Sequence, residues 1–403
     1  MALTSSAQHH VYDANPIQPF SAGLLSDTVN FLSFSLDGVF LAAGSADGLL
    51  LISEVDSWTI TRRRRVEGGD YPVSAVWTPH RVLFVGTQAG DVHQFVFGSS
   101  RSTDKQAHWT IGDGPIYALA YSPNEDNRGR LAVSSGYEVY TQEFGRFPSG
   151  EITRDSVSSM QLPSPGPFPD MERDDDGRLH KPRAIALGFV PQSTLLVGAF
   201  RHHGIVSTLT SSRIWNERGE LVHRIEPRTV YIGKATLSDK GDMLYATNLN
   251  NGIDVYAINE KRCTRSRFVR TLDHDIGSNV PLPIINIHDG RDLLVGTTLG
   301  KVEVVPNDGD RSRASFSVAA PGHGRVVQAL AYVVVEGSRR THYIALGTSD
   351  AGASTAVHVY KGVDKTTAKT SSSYVFKSSR AHSGIPGGFV FRAIGHIILW
   401  YPS

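Results

Sequence analysis

The stretch VNFLSFSLDGVFLAAGSADGLLLISE, residues 29–54, reads as three short strands joined by two tight turns. Val29 to Phe34 is an apolar run of high β propensity, and Ser35-Leu36-Asp37-Gly38 supplies the Asp-Gly pair that hairpins favour. Val39 to Ala43 follows as a second strand, Asp47-Gly48 makes a second turn, and Leu49 to Glu54 is the third strand. Trp58 then falls where an outer strand would run. A lone three-stranded meander cannot bury both of its faces, so the rest of the chain must supply partners.

It does so by repetition. Apolar runs closed by a pair of small residues recur at Gly44-Ser45, Gly86-Thr87, Ser134-Ser135, Gly198-Ala199, Ala246-Thr247, Gly296-Thr297 and Gly347-Thr348. Their central residues, Leu41, Leu83, Leu131, Leu195, Leu244, Leu293 and Ile344, stand 42, 48, 64, 49, 49 and 51 residues apart. Apolar strands precede such runs, as in Pro115 to Tyr121 and Val326 to Tyr332, and alternating strands follow them, as in Val92–Phe97, Glu138–Gln142, Ile253–Ile258, Val302–Val305 and Val357–Tyr360. The spacing predicts units at roughly 24–66, 70–111, 113–145, 180–226, 229–273, 280–318 and 325–403. The fourth is the least regular, because Phe200-Arg201-His202-His203-Gly204 stands in place of a compact turn.

The pattern strand, Ser-x-Asp-Gly, strand, Gly-Ser-x-Asp-Gly, strand resembles one blade of the WD-repeat β-propeller family, whose repeats run about 40–45 residues. The closing Trp-Asp pair is replaced by Ser53-Glu54-Val55-Asp56, and the diagnostic dipeptides are missing from most units, so the resemblance is to a degenerate member. The expected fold is all-β, a single seven-bladed propeller over residues 1–403. It implies a rigid platform that binds peptides or proteins on the face built by the loops between second and third strands and between blades. Gly322-His323-Gly324 is similar to the Gly-His pair that opens a WD repeat, which implies a structural role for His323. An open ring would expose two unpaired edges, so pairing of N- and C-terminal strands must close it. The candidates are His396 to Trp400, which resembles a blade's third strand, and residues 8–20 as a strand beside it, and the sequence leaves open which terminus contributes which strand.

Composition narrows the function. Lys plus Arg is 40 and Asp plus Glu 39, so no global field favours nucleic acid or an acidic membrane as partner. Cys263 is the only cysteine, which forbids an intrachain disulfide and a cysteine-ligated zinc cluster and fits an intracellular location, cytoplasmic or nuclear. The N-terminus shows no secretory signal, and the apolar tail from Phe389 to Tyr401 is too short to span a bilayer. The insertion at 146–181 carries prolines 148, 163, 165, 167 and 169 and the acids Asp170, Glu172, Asp174, Asp175 and Asp176, and reads as a Pro-rich acidic loop.

No nucleophile elbow, phosphate loop, His-Glu-x-x-His or paired-carboxylate motif appears, so catalytic residues, metal ligands and cofactors are expected to be absent. Adjacent histidines at 202 and 203 point to opposite sides of an extended backbone, and the acids at 170–176 lack calcium-loop spacing. The leading function is therefore a non-catalytic scaffold. Its contact positions are expected at the turns carrying Asp47, Gln88, Tyr137, Arg201, His202, Asn250 and Lys301, with Arg62, Arg63, Arg64 and Arg65 at the end of an outer strand and in the loop beyond it. Such an arginine run grips phosphate or acidic peptide, or simply keeps an exposed edge soluble. Two other readings compete. One is a ligand-binding or enzymatic propeller using its central channel, against which the apolar inner strands Val29–Phe34 and Ala329–Tyr332 argue. The other is a binder of phosphoinositide or anionic membrane, through the arginines or through Phe200–Gly204, which faintly resembles the Phe-Arg-Arg-Gly motif of phosphoinositide-binding propellers.

Overall fold

The structure, a computed structural model, describes residues 10–13, 16–17, 24–66, 69–79, 81–97, 104–123, 129–144, 159–165, 176–193, 195–209, 221–225, 231–259, 266–274, 280–308, 314–317, 326–337, 340–349 and 355–364. These form seven four-stranded antiparallel sheets. The chain starts with β1 (His10–Tyr12) and then builds a first sheet from β2 (Val29–Phe34), β3 (Phe40–Ser45), β4 (Leu49–Glu54) and β5 (Thr59–Arg65). The second sheet is β6 (Pro72–Trp77), β7 (Val82–Thr87), β8 (Asp91–Val96) and β9 (Lys105–Thr110). The third is β10 (Ile116–Pro123), β11 (Gly129–Ser135), β12 (Glu138–Phe144) and β13 (Ser159–Gln161), and the fourth is β14 (Ala184–Phe189), β15 (Leu195–Phe200), β16 (Gly204–Leu209) and β17 (Leu221–Ile225). The fifth is β18 (Ala235–Leu237), β19 (Met243–Thr247), β20 (Gly252–Ala257) and β21 (Arg267–Asp273), and the sixth is β22 (Ile284–Ile287), β23 (Asp292–Gly296), β24 (Lys301–Pro306) and β25 (Ala314–Ser317). The last contains β26 (Val326–Val335), β27 (Thr341–Ser349) and β28 (Val357–Asp364), and its fourth strand is β1.

The two turns of the opening motif form as their residues dictate. Ser35 Oγ donates to Asp37 Oδ1 at 2.6 Å, the same oxygen accepts Val39 N at 3.1 Å, and Gly38 takes φ +69°. This is the left-handed backbone that an Asp-Gly turn requires. The fifth sheet repeats the device with other residues, Ser238 Oγ donating to Asp242 Oδ1 at 2.8 Å beside Gly241 at φ +72°.

The cores lie between sheets rather than within them. Phe31, Ala42 and Ile52 of the first sheet pack on Trp77, Leu83 and Val85 of the second, and Val82, Phe84 and Val92 of the second pack on Ile116, Leu131 and Val133 of the third. The last and first sheets pack in the same way, Ala329, Ala345 and Val357 against Val29, Leu41 and Leu51. A fully buried Leu or Ile of this kind contributes about 2 kcal/mol. The small-residue pairs mark the closest approaches. A Cβ on Gly86 would lie 2.3 Å from Ile116 Cγ2 of the next sheet, and one on Gly347 would lie 2.7 Å from Val29 Cγ1.

Each inner strand contacts the next, β2 with β6, β6 with β10, β10 with β14, β14 with β18, β18 with β22, β22 with β26 and β26 with β2. Polar side chains on these strands stitch neighbours together. Asn30 Nδ2 donates to Pro72 O at 2.8 Å, Ser74 Oγ to Ile116 O at 2.7 Å and Asn286 Nδ2 to Leu237 O at 2.7 Å. In five sheets the inner pair is bulged near the start of its inner strand, as between Ile116 and Ala118. A bulge leaves one residue out of the ladder and re-aims its side chain.

Three expectations need correction. Trp58 is not on the outer strand but in the turn before it, at φ 52°, edge-on to the Tyr343 ring of the last sheet at 5.4 Å. The 146–181 stretch is not all loop, since Ser159–Gln161 pairs with β12 as the third sheet's outer strand and Leu162 is buried. No proline lies between 149 and 162, so the ladder loses no donor there. The partner of the N-terminal strand is β28, with Val11 opposite Val363 and Tyr12 opposite Gly362, and β28 fills the third-strand place. His396 to Trp400, His323, Cys263 and the acids at 170–175 lie outside the described residues.

Candidate functional site

The turns β3–β4, β7–β8, β11–β12, β15–β16, β19–β20 and β23–β24 fall at the same end of their sheets, as do the connections that enter the inner strands. Backbone bonds tie turn to entry. Arg201 N donates to Arg183 O at 3.0 Å, Ile232 N to Arg201 O at 3.0 Å and Gly136 N to Pro115 O at 2.9 Å.

At the junction of the third, fourth and fifth sheets these ties gather cations around tyrosine rings. Arg183, one residue before β14, lies over the Tyr117 ring at 5.0 Å and the Tyr137 ring at 5.4 Å, and donates to Tyr137 Oη at 3.4 Å. Lys181 Nζ is 5.1 Å from the Tyr137 ring on its own account. Tyr117 is the residue displaced by the bulge in β10, which is why its ring leaves the ladder. His202 stacks on His180 at 4.0 Å with the planes 9° apart, and the Tyr231 ring stands edge-on to His202 at 5.0 Å.

The electrostatics are those of crowded positive charge. Burial lowers the Arg201 pKa from its ordinary value and the neighbouring Arg183 lowers it further. Burial followed by Arg201 does the same to Lys234, one residue before β18. His202 is pushed down to about 4, by burial first and then by His180, Arg201, His203 and Arg183. Arg201 Nε is buried and makes no hydrogen bond, and no described carboxylate pairs with Lys181, Arg183, Arg201 or Lys234. Glu138, beside Tyr137, instead accepts the Tyr140 hydroxyl.

A pH dependence follows. His202 has a folded pKa near 4 against about 6.5 in an unfolded chain, so the unfolded state binds more protons between those values. The stability this neutral ring contributes is present above pH 6.5 and is lost as pH falls toward 4. Urea midpoints measured from pH 7.5 to 4.5 should fall less steeply in His202→Gln than in the parent chain. Equal slopes would remove His202 as a cause.

The other expected contact positions are scattered or occupied. Asp47 is held in its turn by Ser26, whose N and Oγ both donate to Oδ2 at 2.8 Å, and by Leu49 N at 3.1 Å to Oδ1. Desolvation would raise its pKa, but these hydrogen bonds hold the carboxyl below the usual range. Arg65 Nη1 donates to Asp47 O at 2.7 Å, and the two share a groove with Gly69 and Asp70. All four arginines of the run are on β5, paired from Ile52↔Arg62 to Leu49↔Arg65, and none is in the loop beyond. Arg62 is spent on Asp104, Nε to Oδ2 at 2.9 Å and Nη2 to Oδ1 at 3.1 Å, which pins the first sheet to the second; Arg64 approaches the same carboxylate at 3.7 Å. Arg63 is exposed. Gln88 and Asn250 are exposed on turns of separate sheets, and Lys301 is exposed at the start of β24 in a third.

The structure thus brings Tyr137, Arg201 and His202 together and adds Lys181, Arg183, Lys234, His180, Tyr117 and Tyr231, which the sequence reading passed over. The available signal was position: Lys181-Pro182-Arg183 and Lys234 directly precede inner strands, which start on the face carrying these turns. Among the described residues there is no group of three His, Cys, Asp or Glu placed to hold a metal, and no helix long and apolar enough to cross a membrane.

Sheets of four antiparallel strands packed successively through their inner strands define a β-propeller, and this one carries a cation-rich, tyrosine-lined face. Among solved structures the chain is similar to the beta-propeller domain of Cps50 (Swd1) from Myceliophteria thermophila, with a TM-score of 0.62 and 13% identity over 86% of this chain and 98% of that one. At that identity the likeness shows the fold alone. No family model and no curated protein matches the sequence.

Proposed function

We propose that the chain is a closed seven-bladed propeller of degenerate WD-repeat type. In this reading it is a non-catalytic platform that binds a protein or peptide on the face carrying Gln88, Tyr137, Arg201, His202, Asn250 and Lys301. The seven sheets, the unbroken succession of inner-strand contacts and the β1–β28 pairing support the ring. The observation that carries the function is where apolar surface is left uncovered. Of the five large hydrophobic side chains exposed among the described residues, Tyr137 (42%), Leu179 (41%) and Leu299 (65%) are on this face beside Lys181, Arg183 and Lys301, whereas the β2–β3 end shows Leu36 and the outer strand β21 shows Val269 (45%). Exposed aromatic and aliphatic groups ringed by cations suit an amphipathic acidic segment. The engagement of Asn30, Ser74 and Asn286 in bonds between sheets leaves those side chains unavailable as channel chemistry and supports the non-catalytic reading.

The test is quantitative affinity purification with the parent chain, a face variant (Gln88→Arg, Tyr137→Ala, Lys301→Glu) and the opposite-end variant Leu36→Ser. Partners captured by the parent and by Leu36→Ser but lost with the face variant support the reading. Equal capture by all three, or no reproducible partner, overturns it.

A further inference from the structure

The cation cluster has more positive charge than a platform needs for solubility, and it lacks internal compensation. Burial lowers the pKa of Arg201 and of Lys234, Arg183 lowers that of Arg201 further and Arg201 that of Lys234, yet no described carboxylate pairs with any of the three. A buried guanidinium Nε with no acceptor is a desolvation cost that folding does not recover. Arg62 and Arg340, by contrast, are matched by carboxylates, Arg62 by Asp104 and Arg340 by Asp289 through Nη1 at 3.0 Å and Nη2 at 2.7 Å.

From this geometry we infer a binding site for a phosphate-monoester group at Arg183, Arg201 and Lys234, walled by Tyr117 and Tyr137. The inference rests on the partner-binding reading of this face and names the chemistry of what is bound. The charge argues for phosphate over carboxylate. A phosphomonoester carries about −1.5 to −2 at neutral pH and three acceptor oxygens, which matches three cations converging from two adjacent sheets, whereas one carboxylate would leave most of the cluster uncompensated. The positioning is pre-organised. Arg183 is clamped between two tyrosine rings, and Arg201 is fixed by backbone bonds to Arg183 O and from Ile232 N. The Arg183 guanidinium therefore need not order before it binds, which lowers the entropic cost of capture. His202, beside Arg201, reports occupancy, since burial first and then the neighbouring His180, Arg201, His203 and Arg183 hold its ring neutral, and a bound dianion offsets the charged part of that effect.

The experiment is a titration of the full chain with inorganic phosphate at constant ionic strength, read from the His202 ring resonances and their pH midpoint, and it requires no protein partner. The expected result is a saturable shift with a raised midpoint, weakened at least about tenfold in both Arg183→Gln and Arg201→Gln, and unchanged in Arg63→Gln, which removes the same charge at a distance. Arg183→Gln keeps the test meaningful if Arg201→Gln proves unstable, because the contacts it removes are to tyrosine rings and a hydroxyl rather than to the core. A shift that does not saturate, or that Arg63→Gln weakens equally, overturns the site while leaving the partner-binding reading standing. A phosphoserine peptide that binds more tightly than phosphate, with its unphosphorylated form silent, assigns the group to a protein; equal binding assigns it to a small phosphate and keeps the site. Binding only to vesicles bearing phosphorylated lipid, with no response to phosphate in solution, overturns it.

Discussion

Replacing Tyr12 by alanine is expected to lower the unfolding free energy by about 3–5 kcal/mol, the cost of emptying a large aromatic site in a packed core. The ring is 4% exposed and packs among Ile287, Leu294, Val304 and Tyr360, so it bridges the sixth and last sheets from a three-residue strand. Its hydroxyl is 2.6 Å from His288 Nε2, and His288 Nδ1 is 2.6 Å from Asp292 Oδ2. Nearby, His288 N donates to Tyr332 Oη, which is 2.6 Å from His342 Nδ1, and His342 Nε2 is 3.0 Å from Asp364 Oδ1 on β28. Tyr12→Phe keeps the ring and deletes one end of this network, so it should cost only about 1–2 kcal/mol. Urea unfolding of the three proteins separates the contributions, and hydrogen exchange along β28 locates them. An unchanged midpoint for Tyr12→Ala would show that β1 is an appendage and would remove the support it lends to ring closure.

Asp254→Ala is expected to cost about 3 kcal/mol, since it removes a buried charged acceptor from three side-chain donors at once. The carboxylate is 1% exposed, Oδ1 accepting from Thr271 Oγ1 at 2.7 Å and Asn248 Nδ2 at 3.0 Å and Oδ2 from Tyr256 Oη at 3.2 Å. Asn248 in turn holds the β19–β20 turn, its Oδ1 accepting the backbone N of Asn250, Asn251 and Gly252 at 3.0 Å each. The substitution therefore reaches the β19–β20 turn as well as the core. Asp254→Asn, which keeps the shape and one acceptor, should recover part of the loss. If Asp254→Ala and Asp254→Asn unfold at the parent's midpoint, the network contributes nothing net.

These two effects differ in how far the sequence announces them. Asp254 sits in the expected third strand of a unit whose spacing is regular, so its burial is legible, but Thr271, one of its partners, comes from the outer strand paired beside it. Tyr12 is legible only as part of a terminal stretch that must close the ring. Its seat between Ile287 and Tyr360 depends on a register with β28 that no local pattern encodes. The arginine run was conspicuous in the sequence, and the structure divides it: Arg62 serves a salt bridge to the next sheet and Arg65 braces a turn. The cation cluster was nearly invisible, because its members lie on connections widely separated along the chain and meet only when adjacent sheets pack.

By itself the sequence determined the local geometry. Asp-Gly pairs fixed the first turns through the left-handed backbone that glycine tolerates, and recurring apolar runs closed by small-residue pairs fixed an all-β chain of repeated antiparallel sheets. Those are properties of neighbouring residues, and sequence order carries them. Only the tertiary structure decided which terminal strand meets which, that Trp58 turns toward Tyr343, and that Tyr117, Tyr137, Arg183, Arg201 and Lys234 share one site. These depend on sheet-to-sheet packing and on a bulge in β10, and the distances involved are set by the whole arrangement rather than by any stretch of chain.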